Sequence, residues 1–416
     1  FKNIKGTKDI LPEEIEIWQF VEKKINLFFK KFGYSQLRTP VFENTALFNR
    51  SIGLDTDIVN KEMYSWVDQG KNNLTLKPEV TASVVRSFIQ HKLGKVNSMN
   101  KLYYIDSLFR RERPQKGRFR QFEQFGIEAI GSNFPEIDAE VISMAYYLYD
   151  NFKIKNLKLK INSIGSKDTR LNYKKALKKY LLNYKNDLSQ LSQTRLESNP
   201  LRILDTKIDF EKEIIKEAPK ILDYLSKEDK EHFNELLSYL DNMKIKYEID
   251  HNLVRGLDYY SKTVFEIHSD LLGAQAALCG GGRYDYLIEE LGGDSTPAIG
   301  FAAGIERLIL SLNLQEHDIF TNPHIYIISL GENALKFSST VANNLRINNN
   351  LKVVTHPLRK NLKSQMKEAN KLNVSYVIII GEDEIQNNNV IIKNMETGEQ
   401  ENINFKKVED YFNQIY

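Results

Sequence analysis

The segment Leu102–Gly131 reads LYYIDSLFRRERPQKGRFRQFEQFGIEAIG, and it decides the expected fold. Aromatic and polar residues alternate in both of its ends, which is typical of β-strands. A charged loop from Arg110 to Arg120 joins the two ends. We therefore predict a long β-hairpin with a strongly cationic loop.

The loop of this hairpin holds several cations opposed only by Glu112. Clustered like charges repel one another unless a polyanion lies among them, so a phosphate ligand is one interpretation. Guanidinium groups match phosphate oxygens and stack on planar rings, so Phe119 could cover a nucleobase while Arg110 holds a phosphate. The alternative is a solvated basic loop. The cations are Arg110, Arg111, Arg113, Lys116, Arg118 and Arg120.

The second strand of the hairpin favours a ligand site over a solvated loop. Alternation with a period of two places Gln124, Gly126 and Glu128 on one face and apolar residues on the other. Two polar side chains that flank a glycine can form the floor of a small polar site, although a glycine in a strand can also mark a bulge.

The composition of the chain is that of a globular protein, with 416 residues, 41% hydrophobic and 27% charged. This length allows two or three domains, and a net charge of +3 does not by itself indicate nucleic acid. The first residues lack the apolar core of a signal peptide and no apolar run spans a membrane, so we expect a cytoplasmic location. One cysteine, Cys279, and scattered histidines predict no disulfide and no metal held by the protein alone.

Two features precede the hairpin. The apolar spacing after Pro12 predicts an amphipathic helix, and Ser35–Phe42 is predicted to be an edge strand because Pro40 cannot donate to a ladder. Farther on, Glu79 and Thr81 lie where a strand passes into a helix. Helix capping would explain both residues, and the functional alternative is a pair that holds an ammonium group.

After the hairpin, residues 166–246 have helical periodicity without a chemical motif, which predicts an inserted helical domain. Neither common nucleotide-binding loop is present. Gly300 and Gly304 are predicted to open a helix that places Arg307 in its first turns. From His324 onward strands and helices alternate, which predicts a small α/β domain.

Lysines recur at helical spacing within this last domain, at Lys360, Lys363, Lys367 and Lys371. One basic helix face on a charge-balanced domain would suit RNA phosphates, and a solvated face is the alternative.

Taken together, the chain resembles the bacterial-type histidyl-tRNA synthetases, within the class II aminoacyl-tRNA synthetases, from Gly6 to its last residue. The three class motifs stand as YSQLRTPVFE from Tyr34, FRRERPQKGRFRQFEQFG from Phe109 and GFAAGIERL from Gly300. Two signatures of the histidine enzymes stand as LVRGLDYY from Leu253 and GGGRYD from Gly280.

The resemblance implies an α+β fold, in which a class II catalytic domain occupies residues 1–322 and an α/β anticodon-binding domain occupies residues 323–416. The catalytic domain would contain an antiparallel six-stranded sheet with flanking helices and the helical insertion. The implied function is ATP-dependent ligation of L-histidine to tRNA(His) through a histidyl-adenylate, with Mg²⁺ accompanying ATP. The first motif would form a homodimer interface.

The resemblance also implies roles for single residues. Arg110 would bind the α-phosphate of ATP, Arg307 would lie on the γ-phosphate side, and Arg255 would replace a magnesium ion in assisting the attack on phosphorus. The implied ATP site is Arg110, Glu112, Arg118, Phe119 and Arg307. The implied histidine site is Glu79, Thr81, Arg110, Gln124, Glu128, Arg255, Tyr259 and Tyr260. The implied tRNA contacts are Gln115, Arg120, Lys360, Lys363 and Lys367.

Within the histidine site, the resemblance gives the α-amino group to Glu79, Thr81 and Gln124, and it gives the two imidazole nitrogens to Glu128 and Tyr260. The chain departs from the family pattern Arg-Pro-Glu-Gly-Thr, because Lys77 and Val80 stand at the first and fourth positions.

The main alternative is a catalytically inactive paralogue that serves as regulatory subunit of the ATP phosphoribosyltransferase of histidine biosynthesis. Such paralogues lack the C-terminal domain and lose the arginine signatures, whereas Arg110, Arg255 and Arg307 are all present here. A class II synthetase for another amino acid is disfavoured by LVRGLDYY.

Overall fold

The computed structural model describes residues 1–53, 56, 58–115, 117–270, 277–312, 322–355 and 358–416. The chain divides into two compact units, Phe1–Leu314 and Gln315–Tyr416. In the described ranges, no helix has both the length and the hydropathy that crossing a lipid bilayer requires.

The helices of the first unit are α1 (Pro12–Lys31), α2 (Thr45–Ile52), α3 (Thr81–Gln90), α4 (Leu93–Val96), α5 (Pro135–Asn151), α6 (Lys167–Leu182), α7 (Gln190–Ser198), α8 (Asp209–Lys216), α9 (Lys227–Asn242), α10 (Leu287–Glu290) and α11 (Ile305–Ser311). Its strands are β1 (Ser35–Gln36), β2 (Phe42–Asn44), β3 (Tyr64–Val67), β4 (Asn73–Leu76), β5 (Asn100–Phe109), β6 (Gln121–Ile130), β7 (Leu157–Ser163), β8 (Tyr247–Ile249), β9 (Ser261–Ser269), β10 (Ala277–Arg283) and β11 (Ala298–Gly304). Short helical turns of other types occur at Ile58–Glu62, Pro200–Ile203 and Ile221–Tyr224.

The main sheet of the first unit has the strand order β1-β5-β6-β11-β10-β9-β7-β8 among the described residues. The six strands from β5 to β7 in this order pair antiparallel, as predicted. The short strands β1 and β8 extend the sheet by parallel pairing at its two edges. The fold is therefore the expected six-stranded antiparallel sheet with an added strand at each edge.

The predicted hairpin is formed by β5 and β6, which pair from Asn100↔Ile130 to Phe109↔Gln121. Apolar residues of β6 at alternate positions are buried in a core that includes residues of α1 and α5. Gln124, Gly126 and Glu128 consequently lie on the other face of the sheet. The alternation in the sequence thus predicted correctly which face is available for a site.

The predicted strand Ser35–Phe42 is wrong as a single element. Strand β1 ends at Gln36, and pairing resumes at Phe42 in a separate three-stranded sheet with the order β2-β4-β3. Pro40 lies in the gap, where its missing N–H cannot interrupt a ladder.

The predicted helix start at Gly300 is also wrong, because β11 continues to Gly304 and the helix begins at Ile305. Gly300 pairs with Glu128 across the sheet. A Cβ at Gly300 would lie 2.0 Å from Oε2 of Glu128, so this strand position requires glycine. Glycine has a low preference for strands, but at Gly300 the close approach of the Glu128 side chain outweighs that preference.

The predicted helices of the insertion are present as α6–α9, between β7 and β8. A buried ion pair joins α5 to β10, in which Nη2 of Arg283 is 2.7 Å from Oδ1 of Asp138. Thr263 of β9 also donates to Asp138, at 2.6 Å. Asp138 of α5 therefore binds both Arg283 of the GGGRYD signature and the neighbouring strand.

The second unit contains β12 (Ile325–Ser329), α12 (Glu332–Ile347), β13 (Val353–Thr355), α13 (Leu362–Lys371), β14 (Tyr376–Ile380), α14 (Glu382–Gln386), β15 (Asn389–Asn394), β16 (Gln400–Asn404) and α15 (Val408–Asn413), with a short helical turn at Phe405–Lys407. Its sheet order is β13-β12-β14-β15-β16. The pairs of β12 with β13 and β14 are parallel, and the rest are antiparallel. The predicted α/β organisation is confirmed.

The lysine face of the second unit differs from the prediction at one residue. Helix α13 begins after Asn361, whose side chain accepts from Ser364 N at 2.9 Å. Lys360 therefore precedes the helix, and it forms an ion pair with Glu368 at 3.4 Å. Lys363 and Lys367 lie within the helix and are exposed. Because Asn361 caps the N-terminus of α13, Lys360 lies before the helix and not on the face that carries Lys363 and Lys367.

Candidate active site

A cavity of about 340 Å³ opens on the face of the main sheet that carries Gln124 and Glu128. It is lined by every residue that the sequence assigned to histidine or to ATP: Glu79, Thr81, Arg110, Glu112, Arg118, Phe119, Gln124, Glu128, Arg255, Tyr259, Tyr260 and Arg307. These residues come from loops, strands and helices that are far apart in the chain, and the fold brings them to one place.

The junction before α3 forms one wall of this cavity. Oε1 of the buried Glu79 accepts a hydrogen bond from Ala82 N at 2.8 Å, so the capping interpretation is correct for this residue. Glu79 also lines the cavity, and burial raises the pKa of its carboxyl group. The Oγ1 of Thr81 donates to Oε1 of Glu128 at 2.7 Å. Capping and exposure to the cavity therefore coexist at this junction.

The two departures from the family pattern are accommodated here. Val80 has φ −105° and ψ −29°, a conformation open to any residue, and its side chain is buried in a hydrophobic core. Lys77 is fully buried, forms an ion pair with Asp106, and donates to Oγ1 of Thr39 at 3.2 Å. Neither substitution requires strained backbone around Glu79.

Glu128 lines the cavity and is only 1% exposed. Oε1 of its carboxyl group accepts from Thr81, and Oε2 accepts from the hydroxyl group of Tyr284 at 2.5 Å. Burial raises the pKa of Glu128 to about 8, although both hydrogen bonds oppose this shift. Burial therefore disfavours the charged form of this acceptor while the cavity is empty, and a hydrogen-bond donor placed against it would favour that form.

This raised pKa predicts a pH-dependent cost to stability. The pKa rises from the ordinary 4.5 to about 8, so between these values the unfolded chain has lost a proton that the native state retains. The free energy of unfolding therefore falls as the pH rises through this window. The variant Glu128→Gln has no carboxyl group at this position, so wild type should lose stability between pH 5 and pH 8 relative to the variant. The melting temperature of the variant minus that of wild type should therefore be larger at pH 8 than at pH 5. The same difference at both pH values, measured by thermal unfolding, would contradict the raised pKa of Glu128.

A cluster of arginines also lines the cavity. Nη1 of Arg118 lies 3.1 Å from one oxygen of Glu112, and Nη1 of Arg110 lies 3.7 Å from the other. Nε of Arg110 also donates to Pro78 O at 2.8 Å. Arg307 donates to Ala277 O at 2.9 Å, and burial lowers its pKa, with the charge of Arg118 adding to the effect. This concentration of cations suits a polyanion. Lys116 lies outside the described residues.

Phe119 of the hairpin loop has a cation near its ring, because Nζ of Lys8 lies 5.6 Å from the ring centroid. The loop itself is held by Arg120, whose N–H donates to Gly6 O at 2.7 Å. Gln115 and Arg118 exchange backbone hydrogen bonds at 2.8 and 3.2 Å. Gln115 and Arg120 do not line the cavity, but they lie beside residues that do, because Gln115 pairs with Arg118 and the carbonyl group of Arg120 accepts from Arg110 N at 2.9 Å.

Arg255 also lines the cavity. It forms an ion pair with Glu266, and its guanidinium carbon lies 5.7 Å from the ring centroid of Tyr260. A Cβ at Gly280 would lie 2.3 Å from Nη1 of Arg255, so the triple glycine of β10 leaves the space for this side chain. Burial would raise the pKa of Glu266, but His268 and Arg255 together lower it.

Three acidic or phenolic residues of the cavity were missed by the sequence reasoning: Tyr284, Glu266 and Glu306. Tyr284 stood within the GGGRYD signature, and Glu266 alternates with apolar neighbours along β9. Glu306 accepts from Glu123 N at 2.9 Å, and burial raises its pKa to about 7. Period-two alternation was the signal that could have revealed Glu266.

Comparison with known proteins identifies the family to which the chain belongs. A model of histidyl-tRNA synthetase matches residues 6–308, and a model of an anticodon binding domain matches residues 324–415. The chain belongs to the histidyl-tRNA synthetase family. Membership of an aminoacyl-tRNA synthetase family implies that the enzyme uses ATP.

Individual histidyl-tRNA synthetase relatives agree with this result. The chain is 45% identical over 414 residues to histidine–tRNA ligase of Staphylococcus aureus strain JH9, covering 98% of each sequence. The crystal structure of apo S. aureus histidyl-tRNA synthetase superimposes with a TM-score of 0.83 at 39% identity, covering 99% of each chain.

A Bacillus halodurans protein described as an ATP phosphoribosyltransferase regulatory subunit/histidyl-tRNA synthetase has a TM-score of 0.67 at 22% identity and covers 92% of this chain. That likeness shows the fold alone. The alternative of an inactive regulatory subunit is not favoured, because the match to the ligase extends over nearly the whole chain and includes the anticodon binding domain.

Proposed function

We propose that this enzyme ligates L-histidine to tRNA(His) in two steps, first forming histidyl-adenylate from histidine and ATP and then transferring histidine to the 3′ end of the tRNA. The observation that carries this proposal is that one cavity is lined by two groups of side chains, which are buried carboxyl and phenol groups and the arginines Arg110, Arg118 and Arg307. We infer that they form an amino-acid end and a nucleotide end, because their chemistry suits an amino acid and a nucleoside triphosphate respectively.

The amino-acid end fits histidine by its hydrogen-bonding chemistry. An imidazole ring offers one donor and one acceptor, and we assign them to Glu128 and Tyr260. The α-amino group would lie against Glu79, Thr81 and Gln124. A site that bonds both imidazole nitrogens rejects apolar amino acids, because its own buried polar groups would then be left unpaired.

The first step requires positioning and charge neutralisation more than proton transfer. The carboxylate of histidine is already ionised at neutral pH, and one of its oxygens attacks the α-phosphorus of ATP while the bond to the bridging oxygen of pyrophosphate breaks. Arg110 would hold the α-phosphate and Arg307 would hold the γ-phosphate. Arg255 would stabilise the negative charge that develops at the α-phosphorus during the attack. Phe119 would stack on adenine, near Glu112 and Arg118. Mg²⁺ would enter with ATP as part of the substrate.

We assign the activation step to residues 1–322, which include the insertion at 166–246, and anticodon binding to residues 323–416. Residues 313–321, before this boundary, lie outside the described part of the chain. The hairpin loop, with Gln115 and Arg120, would contact the tRNA acceptor end. The first motif, from Tyr34 to Glu43, would form the interface of a homodimer. A cytoplasmic location follows from the proposed substrate, because tRNA is charged where proteins are made.

The lysines of α13 supply a prediction for tRNA binding. We expect Lys363→Gln/Lys367→Gln to lower kcat/KM for tRNA by about threefold to tenfold, because fewer phosphates are neutralised and fewer counterions are released. Lys360 should matter less, since it already pairs with Glu368. Histidine-dependent pyrophosphate exchange should not change. The matched control is Lys336→Gln/Lys406→Gln, which removes the same charge from exposed positions of the same unit. Equal losses in both assays would indicate that Lys363 and Lys367 support the fold instead.

The proposed function as a whole is tested by aminoacylation. Purified enzyme, Mg·ATP and radiolabelled histidine should convert a tRNA(His) transcript to acid-precipitable histidyl-tRNA, and transcripts of other tRNAs should remain uncharged. Failure to charge tRNA(His), or charging of it with another amino acid, would contradict the proposal.

A further inference from the structure

The loop that presents Arg255, Tyr259 and Tyr260 to the cavity has no regular secondary structure between Asp250 and Tyr260. One backbone hydrogen bond, from Asp258 N to Ile52 O, is long at 3.4 Å. Three functional side chains therefore depend on a backbone that neither a ladder nor a helix supports. Carbonyl groups in such a segment have no partner within a ladder or a helix.

Two arginines of the helical insertion supply donors to some of these groups. Nη1 of Arg170, on α6, donates to Asp258 O at 3.2 Å and to Tyr260 O at 2.7 Å. Nη2 of Arg202, in the turn after α7, donates to Gly256 O at 3.1 Å. The carbonyl groups at three alternate positions of the loop are thus bound to guanidinium groups from outside the sheet.

The side chain of Asp258 forms a second link between the loop and the insertion. Nδ2 of Asn199 donates to its Oδ1 at 3.2 Å, and Nη2 of Arg202 lies 3.7 Å from the same oxygen. On the other side, Gly53 packs so closely that an added Cβ would lie 2.7 Å from Oδ2 of Asp258. Asp258 is therefore held between the insertion and the residue that ends α2.

The same arginines line a second cavity of about 300 Å³ together with Lys167 and Lys174. An anion site is the obvious alternative for so many cations. However, Arg170 and Arg202 donate to the loop, and Lys167 pairs with Glu290 at 3.0 Å while lying over the ring of Tyr286. These charges already have partners in the protein, which favours a positioning role over ligand binding.

We propose that Arg170 and Arg202 are positioning residues for the first reaction step, so that the helical insertion takes part in adenylate formation. They fix the backbone at Gly256, directly after Arg255, and at Asp258 and Tyr260, on either side of Tyr259. A displacement of the reacting groups by about 1 Å can cost a factor of about 100 in rate. This inference rests on the proposed function, because it assumes that Arg255 and Tyr260 act on ATP and histidine.

The test uses the full-length enzyme in histidine-dependent pyrophosphate exchange, which needs no tRNA. Arg170→Met keeps the length and the apolar stem of the side chain and removes its donors. We expect kcat to fall by about tenfold to a hundredfold and KM for histidine to rise, while KM for ATP stays within about twofold. Arg202→Met should act in the same direction. Arg170→Lys, which retains a cationic donor, should recover part of the loss.

The matched control is Lys178→Met, about two turns farther along α6, whose ammonium group pairs with Glu197 at 2.6 Å within the insertion. It should leave all three constants at wild-type values. Melting temperatures measured in parallel identify any variant that fails to fold. If one of the two arginine-to-methionine variants does not fold, the kinetics of the other are used for the test. Wild-type kinetics in folded Arg170→Met and Arg202→Met would overturn the proposal, as would a loss confined to tRNA charging. An inactive wild-type enzyme would instead refute the proposed function.

Discussion

Replacing Arg255 with alanine should lower histidine-dependent pyrophosphate exchange by about a hundredfold or more, since removal of one preorganised group that faces developing charge has effects of that size. The guanidinium lines the same cavity as the buried acidic side chains and the other arginines, and it forms an ion pair with Glu266. The variant not only lacks a cation at the reacting phosphorus but also leaves Glu266 without its arginine partner. Both changes oppose the approach of a polyanion.

A folding defect has to be separated from this loss. Arg255→Ala should elute at the same volume as wild type in size-exclusion chromatography, because the side chain is remote in sequence from the first motif. Glu266→Gln removes the acid and keeps the arginine, so it serves as a control for the broken ion pair. Exchange at the wild-type rate in Arg255→Ala would refute the assignment of this residue to the reacting phosphate.

Glu128→Gln should weaken histidine binding by about tenfold to a hundredfold, because a hydrogen bond to a charged group contributes about 1.5–3 kcal/mol. The substitution preserves volume, and it replaces an acceptor-only carboxylate with an amide that cannot accept through both positions. An imidazole N–H placed against it would lose this partner. ATP affinity should stay within about twofold, because the arginines at the other end are unchanged.

Histidine and ATP affinities can be measured separately by calorimetric titration of this variant. The matched control is Glu123→Gln, which lies on the same strand as Glu128 but outside the cavity lining. It should bind histidine as wild type does. A parallel loss of both affinities in Glu128→Gln, or unaltered histidine affinity, would show that Glu128 does not bind the imidazole ring.

The sequence predicted those parts of the fold that follow from local periodicity. The alternation around Gly126 identified both the hairpin and the face that lines the cavity, and Pro78 marked the junction that holds Glu79 and Thr81. Side-chain direction in a strand depends only on position parity, so such assignments need no tertiary information.

The missed features depend on packing between distant segments. The hydrogen bond from Tyr284 to Glu128 spans 156 residues, and no local spacing reports it. Gly300 was expected in a helix, but its missing side chain is required by Glu128 on the neighbouring strand. Lys360 was placed in a helix that starts only after Asn361. In the sequence, Arg170 and Arg202 cannot be distinguished from ordinary surface charges of a helical domain. Their acceptors are backbone carbonyl groups, which every residue has, so no residue type identifies the partner.

The measurement that tests the central claim most directly is amino-acid-dependent exchange of pyrophosphate into ATP, run with each of the twenty amino acids in turn. It reports adenylate formation at the cavity described here without any contribution from tRNA. We predict exchange with histidine and background rates with the other nineteen. Exchange with a different amino acid, or no exchange with histidine, would contradict the assignment of Glu128, Tyr260 and Arg255 to one histidine-activating site.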